Sequence, residues 1–231
     1  PAEHVGGLWL GLYTKYQLKD SLFYYGEYHY RRRGDSLVDE MGQIYLRFGL
    51  TWRVVPTLEL TGGVVTPLYW AWERDRGDGV DTVVPQYRLW QQAVFGTKIG
   101  RVRFYNQIRT EQRWARKNPV GSPFKLTYRW RYKLAAYIPI NRKQLEPGTW
   151  FVSLYEEIFM QTGESIVFNH FEDNRLFGGV GYVLTDTLQV QAGHMWTYRH
   201  AGEPFRYEHR HIPRISLYHN TNFDSLLDWF K

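Results

Sequence analysis

The sequence predicts an all-β protein, a transmembrane antiparallel up-and-down β-barrel of about 12 strands. Three observations predict it: apolar and polar residues alternate over long stretches, those stretches recur from end to end, and tight connections alternate with long polar ones. The stretch KLTYRWRYKLAAYIPI, residues 125 to 140, shows the pattern best. Lys125, Thr127, Arg129, Arg131 and Lys133 fall on one parity; Leu126, Tyr128, Trp130, Tyr132, Leu134, Ala136 and Ile138 fall on the other. Successive side chains of a strand point to opposite faces, so period two marks β-structure.

Taken in order, strands are predicted over 5–16, 21–32, 41–54, 57–70, 85–98, 101–114, 125–139, 150–161, 171–184, 187–199 and 207–223. Most are about twice the usual 5 to 6 residues, the length a tilted strand needs to cross a bilayer. The connections LKDS, VVPT, KIGR and LTDT are tight, whereas RGDSLVDE, AWERDRGDGVDTVV, ARKNPVGSPF and the stretch after Gln161 are long and polar. Short turns at one end and long loops at the other are the plan of an outer-membrane barrel. Eleven strands are visible; the even number usual for such barrels puts a twelfth in 71–84 or between 161 and 171. The barrel is assigned to 1–223, with Phe223 closing the last strand, and 224–231 to a C-terminal tail.

Composition agrees. The 231 residues include 18 Tyr, 13 Phe and 10 Trp, yet mean hydropathy is -0.50. No run approaches the roughly 20 apolar residues of a membrane helix. Cysteine is absent, which removes disulfides, thiolate metal sites and cysteine nucleophiles. Trp9, Tyr30, Trp52, Trp70, Trp114, Trp130, Trp150, Trp196 and Tyr198 lie near strand termini and suit two interfacial girdles. A soluble sandwich or lipocalin-like barrel with its apolar face inward is the alternative; it favours shorter strands and a core of Val, Ile and Leu. No leader opens the chain at Pro1, and the expected location is the outer membrane of a Gram-negative bacterium after removal of a signal peptide.

Sorting by parity collects a lumen set: Glu27, Arg31, Arg47, Glu59, Arg88, Arg103, Arg109, Glu111, Arg113, Arg129, Arg131, Glu157, Arg175 and Arg214. Arg pairs with carboxylates through two parallel hydrogen bonds, so a salt-bridge network is expected, with Glu111 among Arg109, Arg113, Arg129 and Arg131. The net charge of +6 is then stored inside, not spread as a nucleic-acid-binding patch. The glycines of LTGGVV and GGVGY sit inside strands and are expected to permit bending or leave room for facing arginines.

QYRLWQQ (86–92), IRTEQRW (108–114), YEEIF (155–159) and EDNRLFGGVGYVL (172–184), in that order, together with GEYHYRRR, resemble a family of Gram-negative outer-membrane barrels catalogued as a domain of unknown function, DUF 2490. The resemblance runs over most of the chain. It implies an outer-membrane barrel and carries no established activity.

Three roles follow. The first is a structural or accessory component of an envelope complex, its lumen filled by long side chains. The second is a small anion-preferring pore, since rings of Arg and Lys select anions. The third is an outer-membrane lipid-modifying or hydrolytic enzyme; the serines (Ser36, Ser122, Ser153, Ser165, Ser216) and histidines (His4, His29, His170, His194, His200, His209, His211, His219) are too loosely placed to define a triad. His170 stands near Asp173, and His209 and His211 share a strand face, a weak metal candidate. No cofactor is implied. RDRGDGVD lacks the spacing and closing Glu of a calcium loop. Expected partners are outer-membrane lipid and lipopolysaccharide, which HYRRRGD would meet through its phosphates, and another envelope protein. The latter is suggested by Gln91, Asn106, Thr110, Gln112 and His194 on the lipid parity. Nucleic acid is not expected.

Overall fold

The computed structural model describes residues 6–34 and 36–222. His4, Phe223 and the tail at 224–231 lie outside the described residues. The elements are β1 (Trp9–Lys19), β2 (Leu22–Arg33), β3 (Glu40–Val55), β4 (Leu58–Trp70), a single 3-10 turn (Glu73–Asp75), β5 (Val83–Pro85), β6 (Tyr87–Ile99), β7 (Val102–Ala115), β8 (Lys125–Pro139), β9 (Trp150–Thr162), β10 (Phe171–Val183), β11 (Leu188–His200) and β12 (Tyr207–Asn222).

Neighbouring strands pair in sequence order, β3 pairs β4, and β1 pairs β12, so the sheet closes on itself. Closure leaves no long edge with unpaired backbone groups. Eleven strands form the wall. The twelfth, β5, continues β6: Leu68 faces Pro85 and Val65 faces Arg88 in one register, and the Gln86 amide between them bonds the Pro67 carbonyl at 2.9 Å. The twelve-strand antiparallel wall expected from sequence is therefore corrected. With an odd number of alternating strands, the first and last must run the same way, and β1 and β12 are indeed parallel, with Leu12 opposite Leu217.

One end of the barrel carries the tight turns 20–21, 56–57, 100–101 and 184–187 and the longer connection 140–149. The other carries the long connections, and these dock in pairs. Arg116 reaches Asp81 at 2.6 Å, and the Phe205 amide reaches Asn169 Oδ1 at 2.9 Å. Asp81 of the RDRGDGVD loop thus holds a guanidinium.

Alternation separates the two faces cleanly. In β9, Leu154, Glu156, Ile158 and Met160 are exposed outside, while Ser153, Tyr155, Glu157 and Phe159 are buried inside. Several buried aromatic rings inside the barrel are seated on glycine. Trp90 is fully buried and its indole N–H donates to the Phe48 carbonyl at 3.2 Å. A Cβ on Gly49 would stand 2.7 Å from the Trp90 ring, and one on Gly181 would stand 2.1 Å from the Phe151 ring. Of the glycines expected to leave room for arginines, Gly179 and Gly181 leave it for Phe177 and Phe151 instead, and a Cβ on Gly63 would meet the Phe48 carbonyl at 2.0 Å.

Candidate functional site

The interior splits into two cavities. One, of about 490 Å³, reaches the long-loop end at Trp72, Arg199 and Arg210 and descends to Tyr137 and Tyr218. The other, about 380 Å³, lies above the tight turns between Lys15, Arg53, Glu59 and Tyr105. They share no lining residue.

Beside the larger cavity, four carboxylates organise the arginines. Glu111 on β7 is fully buried. Its oxygens meet Arg47 of β3 at 2.7 Å, Arg88 of β6 at 2.9 Å, Arg131 of β8 at 3.2 Å and Arg129 of β8 at 3.5 Å. Four guanidiniums do surround Glu111, but Arg47 and Arg88 stand where Arg109 and Arg113 were expected. Neighbours along one strand diverge instead of converging. Arg109 turns to Glu27 at 2.8 Å and to Gln92 at 2.7 Å. Arg113 turns to Glu172 and Gln161, both at 3.0 Å.

Glu27 binds Arg47 as well, at 3.1 Å, and accepts from the Tyr25 hydroxyl at 2.6 Å. Glu157 is held by Arg131, and Glu172 by Arg113 and Arg129. Arg47, Arg129 and Arg131 each bridge two carboxylates, so the network runs unbroken from Arg109 to Arg113. Glu172 was not assigned to the interior from sequence. Register shifts between Phe171 and Asp173, and this bulge turns both Glu172 and Asp173 inward.

The remaining members differ. Glu59 sits in the smaller cavity with Lys15 at 2.5 Å and Arg53 at 3.1 Å. Arg103 lies on the inward parity of β7, opposite Tyr137, and joins no ion pair among the described residues. Arg175 pairs with Asp173 at 2.7 Å. Arg31 bonds Gln43 at 2.9 Å and lies 3.8 Å above the Trp9 ring, and Arg214 bonds the hydroxyls of Tyr13 and Tyr155. Trp9 therefore belongs to the cavity, not to the outer girdle expected of it.

The other candidates do not converge on a catalytic geometry. The buried Ser153 hydroxyl has no hydrogen-bond partner among the described residues. His209 and His211 lie on the outer face. His211 meets His194 at 3.2 Å, His209 stacks on Trp196 at 5.4 Å, and the described residues hold no group of three metal-ligating side chains. The outer polar cluster is self-satisfied: Gln91 accepts from Thr110 at 2.9 Å and from Gln112 at 3.2 Å.

Fold and interior define a closed, up-and-down β-barrel whose inward arginines and carboxylates pair with one another. The chain belongs to the family described as protein of unknown function (DUF2490), whose model matches residues 6–213. No curated protein and no solved structure matches it.

Proposed function

We propose that this chain is a transmembrane barrel of the Gram-negative outer membrane, a structural or accessory component of the envelope with a charged, stoppered lumen. One observation carries the reading: the exposed large hydrophobics, among them Leu50, Trp52, Val64, Ile108, Trp130, Leu154 and Ile215, sit on the outward parity while ion pairs occupy the inward one. Monomeric soluble proteins rarely expose contiguous apolar patches beyond a few hundred Å², and a bilayer covers such a belt. A closed barrel also satisfies every backbone group that hydrocarbon would strand.

The test is insertion from urea into liposomes whose acyl chains carry a fluorescence quencher. Quenching of the outward tryptophans, with protease-resistant strands, is expected. A chain that stays monomeric in buffer and unquenched would replace this reading with the soluble barrel. A small anion-preferring pore is the second reading, favoured by the excess of cations around the larger cavity. Against it, the two cavities share no lining residue, so silence in planar bilayers is expected of the inserted protein. Stable anion-selective steps would promote the pore.

A further inference from the structure

The salt-bridge network leaves the larger cavity short of acceptors. Glu40, Glu111 and Glu208, outside its lining, hold Arg33, Arg47, Arg129, Arg131, Arg199 and Arg210; the lining itself has twelve Lys and Arg and four carboxylates, Glu27, Glu157, Glu172 and Asp173. Of these, the three glutamates are taken by Arg47, Arg109, Arg113, Arg129 and Arg131. Among the described residues, Arg31, Lys133 and Arg214 have no carboxylate within ion-pair distance, although all three line the cavity. They rest on aromatic rings instead. Arg31 and Arg175 share Trp9, with guanidinium carbons 3.8 and 5.3 Å from the ring centre. Lys133 and Arg214 share Tyr155, at 3.9 and 5.7 Å. The Nε atoms of Arg31 and Arg214 are buried without a hydrogen-bond partner.

Such an arrangement is costly unless something answers it. Buried donors without acceptors and like charges facing one another both destabilise a fold. A structural filler of the interior would match cations to anions, as Glu111 does for its own four arginines. Here the surplus is concentrated in an accessible cavity of a size typical of small-molecule sites. From these observations we infer that the cavity under the long loops binds an organic phosphate. Arg31, Lys133 and Arg214, which no carboxylate answers, supply charge-assisted hydrogen bonds to phosphate. The ligand enters from the long-loop end, because the smaller cavity shares no wall with this one.

An organic phosphate has two sources here, a soluble metabolite and the headgroup of a phosphorylated lipid, and the test separates them. The folded barrel in detergent is titrated calorimetrically with glucose 1-phosphate, with glucose, and with micelles carrying a bis-phosphorylated disaccharide glycolipid. Binding of either phosphorylated probe, and not of glucose, is expected; heat from glucose 1-phosphate identifies a soluble ligand, and heat from the glycolipid alone identifies a headgroup. Arg31→Gln is expected to weaken binding about tenfold, the worth of one charge-assisted hydrogen bond. Lys133→Gln should do the same and is the safeguard if Arg31→Gln misfolds, since its ammonium rests only on a ring. Arg53→Gln, in the other cavity, should bind like wild type. No heat with either phosphorylated probe, or equal affinity in Lys133→Gln and wild type, overturns the inference. The titration needs the folded barrel and not its insertion into lipid, so its failure is distinct from failure of the membrane reading.

Discussion

The half of the interior beneath the long loops and the half above the tight turns are built on different principles. The first concentrates ion pairs at full burial, with Glu111 shared by four arginines from three strands. The second holds one partly exposed triad, Lys15, Glu59 and Arg53, and a hydroxyl pair, Thr51 and Thr61, at 2.8 Å. Trp90, seated on Gly49, packs against Tyr25 on the wall of the first. Charge placed where water is scarce ties strands together but must be matched group by group. Charge near the mouth is screened and can be lost cheaply.

The sharpest way to break the comparison is at Glu111. Glu111→Ala leaves Arg47, Arg88, Arg129 and Arg131 facing each other in a dry site, and removing one partner of a buried ion pair costs about 3–5 kcal/mol. Loss of the compact form, seen as a fall in the urea midpoint of the reconstituted barrel, is the expected outcome. Glu111→Gln keeps the shape and loses the charge, so it should recover little of that stability. If both variants melt like wild type, the network is not what holds β3, β6, β7 and β8 in place.

The ring seated on glycine comes next. Trp90→Ala removes a fully buried ring, a change that costs about 3–5 kcal/mol in packed cores, and the urea midpoint should fall accordingly. Gly49→Ala tests the same seat from below. Its new methyl would stand 2.7 Å from the Trp90 ring, and overpacking of this kind costs about 1–3 kcal/mol. Trp90→Leu in the Gly49→Ala background should restore part of the loss; a purely additive double variant would show that the ring is not the obstacle.

Much of this contrast was legible in the sequence, and the rest was not, for specific reasons. Period two exposes strands because each residue reports its own face, so the wall and the inward identity of Glu27, Glu111 and Arg131 follow from parity alone. Partner choice does not. Arg47 lies 64 positions from Glu111, and only the curvature of the closed sheet across β3, β4, β6 and β7 brings it there. Glu172 was hidden by a bulge, which shifts parity by one residue without any turn signal. Trp9 was taken for an interfacial anchor because tryptophans near strand ends usually are, although its parity already placed it beside Arg31. The strand count teaches a related lesson. Eleven segments were visible, and the twelfth was supplied by the evenness of the class; the parallel β1–β12 seam is how an odd count closes.

The mildest change completes the comparison at the other end. Glu59→Gln removes one carboxylate from Lys15 and Arg53, whose side chains are 23% and 39% exposed. Water reaches both cations, so the desolvation that makes Glu111 indispensable is largely absent, and exposed pairs are worth about 0–1 kcal/mol. The urea midpoint should therefore move only slightly, and added salt should narrow the remaining difference from wild type by screening the pair. The same salt should leave the Glu111→Gln deficit nearly unchanged, because that site is fully buried within the network around it. A Glu59→Gln deficit as large and as salt-insensitive as that of Glu111→Gln would mean that the two halves share one electrostatic environment, and that burial, which separates them here, does not decide what each charge contributes.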